Sequence, residues 1–151
     1  MRRRRFLAAS GVALASQALP VAAQRFQPAQ DVGPLLEKLA GGKRPEPGGM
    51  KLEVPQIAEN GNSVPLRIAV ESPMTATSYV SAIHVVAERN PRPMVATFRL
   101  GPHSGRAEIS TRIRLAGTQK LRVLAAMSDG HFRLGEVEVL VTSAACLDES
   151  L

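Results

Sequence analysis

The chain has 151 residues, enough for one domain, with a formal net charge of +6, no Trp, one Tyr and four Phe. Four of the positive charges are Arg2 to Arg5, so without residues 1–23 the remaining 128 residues carry only +2, with Lys and Arg dispersed among Glu and Asp. A near-balanced chain without aromatic stacking platforms argues against nucleic-acid binding, and one cysteine, Cys146, excludes an internal disulfide.

In chain order, Arg2 to Arg5 precede an apolar run from Phe6 to Ala18 and the small-residue triplet Val21-Ala22-Ala23. This is the three-part layout of an export signal over residues 1–23, cleaved after Ala23. The apolar run is too short for a permanent span, so no stable membrane anchor is expected. Arg3-Arg4-Arg5-Phe6-Leu7 has the form of a twin-arginine signal, whose cargo crosses folded; general secretion is the competing route. Either route leads to the periplasm.

Residues 24–48 read as a flexible segment holding a short helix. Asp31 is placed to cap it, and Val32, Leu35, Leu36 and Leu39 fall on one face. Pro34 is tolerated in the first turn, and Gly41-Gly42 ends the helix. From Met50 the apolar period shortens to two. Successive runs are Met50, Leu52, Val54; then Val64, Leu66, Ile68, Val70; then Ile83, Val85, Ala87; then Met94, Ala96, Phe98, Leu100. They continue with Ala107, Ile109, Thr111, Ile113, Leu115, and with Leu121, Val123, Ala125, Met127. The last run, Phe132 and Leu134 followed by Val137, Val139 and Val141, changes phase at Gly135, which predicts a bulge. Asp129-Gly130 predicts a hairpin. The expected fold is all-β: an immunoglobulin-like antiparallel β-sandwich of about seven strands over residues 49–142, preceded by a short helix. Residues 143–151 then form a C-terminal arm bearing Cys146.

No nucleophile elbow, phosphate loop or zinc-protease helix is present, and three histidines with one cysteine do not have metal-site spacing. No cofactor is expected. Asp129 reads as a turn residue, His103 as a loop histidine, and His84 as facing outward or into an interface. Cys146 follows the small residues Ser143, Ala144 and Ala145. It is either a reactive thiol on a mobile tail or a small residue buried at a strand end.

Several longer segments carry a family likeness. They are Pro55-Gln56-Ile57-Ala58-Glu59-Asn60-Gly61-Asn62-Ser63-Val64-Pro65, Glu71-Ser72-Pro73-Met74-Thr75, Asn90-Pro91, Thr111 to Ala116, Met127-Ser128-Asp129-Gly130, and Val139 to Thr142 followed by Cys146. In order and spacing, the stretch from Gly49 to Cys146 resembles SoxY, the sulfur-carrier family of periplasmic thiosulfate oxidation. The resemblance implies a non-enzymatic carrier, exported by the twin-arginine route as a heterodimer with a SoxZ-like β-sandwich. Its cysteine, here Cys146, holds sulfur intermediates covalently and presents them to sulfur-oxidising Sox enzymes. The family's arm typically reads Gly-Gly-Cys-Gly-Gly, whereas this chain has Ala144-Ala145-Cys146-Leu147-Asp148-Glu149. The flanking glycines are absent, and two carboxylates follow the sulfur, where they disfavour the thiolate and repel anionic adducts. The alternative is therefore a diverged SoxY-like interaction module that no longer cycles sulfur. A stand-alone thiol enzyme has no identifiable base near Cys146.

Overall fold

The computed structural model describes residues 28–145; residues 1–23, where an export signal is expected, and Cys146 lie outside the described residues. One helix, α1 (Gly33–Leu39), precedes nine strands: β1 (Glu46–Pro47), β2 (Met50–Glu53), β3 (Ile57–Ala58), β4 (Val64–Val70), β5 (Val80–Ala87), β6 (Met94–Arg99), β7 (Glu108–Ile113), β8 (Gln119–Met127) and β9 (Phe132–Val141). The seven longer strands are those expected from alternation. The two-residue strands β1 and β3 carry no such signal, and both pair parallel with β9, at Arg133–Leu134 and Leu140–Val141.

The strands form a two-sheet sandwich of the expected immunoglobulin-like kind. One sheet runs β1-β9-β8-β5-β6, with β3 also on β9, and the other runs β2-β4-β7. Between them pack Val64, Leu66 and Ile68 of β4, Ile83 and Val85 of β5, and Leu121, Val123 and Val139 of β8 and β9, all essentially inaccessible to water. Aliphatic burial at about 25 cal/mol per Å² drives this assembly without a disulfide.

Helix α1 makes a third layer on the outer face of the larger sheet. Asp31 Oδ1 accepts the Gly33 N–H (2.9 Å) at the helix entrance. Val32, Leu36 and Ala40 then bury against Val86 and Leu124, with Leu35, Leu39, Met94, Phe132 and Leu134 around them. This layer explains two departures from the expected strand pattern. The bulge predicted at Gly135 does not exist: β8 and β9 pair in unbroken register from Gln119↔Val139 to Ala126↔Phe132. The phase of β9 changes because its first half turns Phe132 and Leu134 toward the helix, while its second half turns Val137 and Val139 toward the sandwich core. Gly135 is in register with Val123, and a Cβ there would meet Met50 Sδ at 2.5 Å, so the glycine lets β2 approach β9. Met94 was expected to face inward with Ala96 and Phe98. A register shift between Val85 and Val86 pairs Ala96 with Val85 but Met94 with Val86, which carries Met94 to the helix side.

The helix layer rests on Leu124, which is fully buried beneath it. Leu124→Ala should lower the unfolding free energy by about 3 kcal/mol, the usual cost of such a cavity, read as a lower urea midpoint with an unchanged slope.

Candidate functional site

Only the root of the C-terminal arm lies within the described residues, and it is held rather than free. The end of β9 is bordered on one side by β3. The Leu140 N–H donates to the Gln56 carbonyl (2.9 Å) and the Thr142 N–H to the Ala58 carbonyl (3.0 Å). The Thr142 hydroxyl then donates to the Glu59 carbonyl (3.1 Å). On the other side, Thr118 Oγ1 accepts the Val141 N–H (2.9 Å).

Beyond the strand the chain enters a three-way backbone contact. The Gly61 N–H donates to the Ser143 carbonyl (2.7 Å), the Leu115 N–H to the Gly61 carbonyl (2.8 Å), and the Ala145 N–H to the Leu115 carbonyl (2.9 Å). Residues 143–145 are thereby stitched to two loops. Ala145 is 7% exposed and Leu115 is fully buried. Gly61 makes the contact possible: a Cβ there would collide with the Leu115 carbonyl and lie 2.8 Å from Ala145 N and 3.0 Å from the Ser143 carbonyl. The expectation of a mobile tail beginning at Ser143 therefore gives way, through Ala145, to an anchored segment.

A buried amide pair holds the loop that receives the arm. Asn90 and Gln119 are 5% and 2% exposed. Asn90 Nδ2 donates to the Arg114 carbonyl (2.9 Å), and Asn90 Oδ1 accepts the Ala116 N–H and Gln119 Nε2–H, both at 3.0 Å. Gln119 Oε1 accepts the Arg89 N–H (2.8 Å), and its Nε2 also donates to the Gly117 carbonyl (3.2 Å). Each amide is satisfied, so their burial carries little penalty. Together they fix residues 114–117 on either side of Leu115. Around this site Ile57 and Leu140, register partners across β3 and β9, are exposed at 59% and 48%.

The sequence-derived candidates disperse. Cys146, Asp148 and Glu149 lie outside the described residues. His103 sits in an exposed single 3-10 turn, Pro102–Ser104. Asp129 is a hairpin residue: its Oδ1 accepts the His131 N–H (3.0 Å), and that bond, with one from the His131 ring, holds its carboxyl below the usual range. His84 lies half-buried on the outer face of β5, its Nδ1 3.0 Å from Thr97 Oγ1. Burial, and then the nearby Arg99 charge, push its pKa below the ordinary imidazole value. Among the described residues no group of three or more His, Cys, Asp or Glu is placed to hold a metal ion, and no helix is long and apolar enough to cross a membrane. Sequence reasoning took Asn60-Gly61 and Asn90-Pro91 only as parts of a family likeness; their shared role at the arm root was missed.

Replacing Gly61 with Ala should pry the arm root from its loops and cost about 1–3 kcal/mol by overpacking. Gly101→Ala is the matched control, since a Cβ there meets nothing within 4 Å and the backbone is extended. It should stay within about 0.5 kcal/mol of wild type. Urea titration of both variants reads the difference.

Comparison with known proteins agrees with this fold. The family model described as "Sulfur oxidation protein SoxY" matches residues 36–146. The structure of the sulfur carrier protein SoxY from Chlorobium limicola f thiosulfatophilum superposes with a TM-score of 0.59 at 30% identity, covering 74% of this chain and 98% of that one. Superoxide reductase (neelaredoxin) from Ignicoccus hospitalis superposes with a TM-score of 0.56 at 16% identity, covering 62% of this chain and 80% of its own. A putative superoxide reductase from Thermotoga maritima gives 0.53 at 14%, covering 65% and 87%. At such identities the reductases share the fold alone. No curated protein matches the chain.

Proposed function

We infer the function of this chain from one premise: it belongs to the SoxY family. That family assignment supports a carrier role in sulfur oxidation. The finer reading is that Cys146 is the attachment point, holding sulfur intermediates covalently and presenting them to separate enzymes. The observation that carries it is the extent of the family match, which runs through the sandwich and ends on Cys146 itself. The chemistry asks little else of the domain. A thiolate attacks a sulfur–sulfur bond, a new sulfur–sulfur bond forms, and the displaced sulfur leaves with the electron pair, so no cofactor is required. On this reading the protein is not itself an enzyme. It works in the periplasm after twin-arginine export, paired with a SoxZ-like subunit and meeting sulfur-oxidising enzymes transiently.

A second reading is favoured by one specific observation. The segment before Cys146 carries alanines where the family arm has glycines, and Ala145 is buried and hydrogen-bonded. A carrier that must enter several active sites in turn gains from a long free arm, and this chain shortens it. The alternative is an interaction module of the same fold and pairing that no longer cycles sulfur.

Intact mass separates the two. Protein recovered from cells oxidising thiosulfate should carry an added sulfur-containing mass that reductant removes, and Cys146→Ser should show none. A free thiol in such cells, together with undiminished thiosulfate oxidation by a Cys146→Ser strain lacking any second carrier, would replace the carrier with the interaction module.

A further inference from the structure

The loop that receives the arm holds a chemically labile pair that the carrier reading does not use. The chain has three asparagines, Asn60, Asn62 and Asn90. An asparagine loses its amide when the main-chain nitrogen of the next residue attacks its side-chain carbonyl carbon. Asn90 is closed to this reaction, because the Pro91 nitrogen carries no hydrogen. Asn62 precedes Ser63, whose side chain hinders the attack. Asn60 precedes Gly61, which has no side chain to hinder it. Asn60 is also exposed, so water reaches its amide. By local chemistry it is the most labile of the three.

The fold blocks the reaction at the attacking nitrogen. Gly61 is buried, and its N–H donates to the Ser143 carbonyl (2.7 Å). The proton that must leave is held there, and the bare nitrogen would face a carbonyl oxygen. The Gly61 carbonyl accepts the Leu115 N–H (2.8 Å), which keeps the peptide from turning toward the Asn60 side chain. Asn60 Oδ1 accepts the Asn62 N–H (2.9 Å), which directs the amide past Gly61. Around Gly61 the Leu115 carbonyl, Ala145 N and the Ser143 carbonyl leave no space even for a methyl group. Two of these three atoms belong to the arm root. The nitrogen that would attack Asn62 is placed differently. The Ser63 N–H donates within the loop, to the Asn60 carbonyl (3.4 Å), and owes nothing to the arm.

We propose that Asn60 is a deamidation site gated by the arm root, intact while residues 143–145 are bound and labile once they leave. The Gly61 nitrogen, its proton lost to hydroxide, bonds to Asn60 Cγ. The Cγ–Nδ2 bond breaks and ammonia departs, closing a succinimide, and water opens that ring to aspartate or isoaspartate. Water and hydroxide are the only co-reactants, and nothing is oxidised or reduced. Either product puts a negative charge beside Gly61, and isoaspartate adds a methylene carbon to the main chain. The added carbon displaces the Gly61 N–H from the Ser143 carbonyl, so release becomes permanent. The loop thereby records local opening of the root. The inference is independent of what Cys146 carries.

The test follows each asparagine by peptide mapping and mass spectrometry during incubation at mildly alkaline pH, with isoaspartate methyltransferase labelling of the isoaspartate product. In urea-unfolded wild type Asn60 should deamidate faster than Asn62, and in the folded protein that order should reverse. Ala145→Pro removes a root donor and overfills a buried position. A chain ending at Thr142 removes the root outright. Both should raise the Asn60 rate in the folded state about tenfold, the factor that corresponds to about 1.4 kcal/mol of anchoring. The Asn62 rate should stay unchanged, which also checks that the loop remains folded. Ser143→Ala keeps the carbonyl and should alter neither rate. Loss of the Asn60 amide as fast in folded as in unfolded wild type would overturn the block. Equal acceleration at Asn60 and Asn62 in both variants, or none at either, would overturn gating by the root.

Discussion

The backbone contact between Gly61, Leu115 and Ala145 is the constraint on which the arrangement of the thiol-bearing end depends. Two hydrogen bonds of 2.7 and 2.9 Å tie the segment leaving β9 to two loops, and a third of 2.8 Å ties those loops to each other. Each contributes about 0.5–1.5 kcal/mol net. Their combined effect is larger than thermal energy yet smaller than the stability of a domain, so the root is ordered at rest and open to displacement by a partner that binds it more tightly. The contact tolerates no side chain at position 61, and it buries the methyl group of Ala145.

That constraint is supported from below by polar groups as well as by Leu115, which belongs to the aliphatic core. Asn90 and Gln119 lie under the loop that carries Leu115, and their amides bond to Arg89, Arg114, Ala116 and Gly117 main-chain atoms. A buried network satisfied at each member is rigid, because any displacement leaves a polar group unpaired in low dielectric. The sandwich and α1 hold the two sheets; the amide pair holds the end where the cysteine emerges. A family whose arm moves through glycines thus contains, in this chain, an arm set on a firm base.

The fold was legible wherever side chains alternate against one apolar layer. The seven longer strands and the helix follow from that periodicity, and Asp129-Gly130 marks its hairpin because the glycine adopts a positive φ of 83°. Phe132, Leu134 and Met94 were misread because they face a second layer, the helix, whose position on the sheet is a tertiary fact without a local signal. Strands β1 and β3 are two residues long and are defined by their partner β9. The arm root was illegible for a different reason: Ser143, Ala144 and Ala145 look like a loose tail, and the bonds that hold them are between backbone atoms far apart in sequence. Only Gly61 left a mark, as a glycine inside a family segment.

Backbone ¹⁵N relaxation at the Ala145 amide tests the anchored root most directly. If the root is bound as described, Ala145 should have an order parameter of about 0.85, that of a rigid strand, and match Val139 in the neighbouring β9. A value below about 0.6 at Ala145, with Val139 rigid, would mean that the arm is free from Ser143 onward and that the thiol is not held at the end of the sandwich.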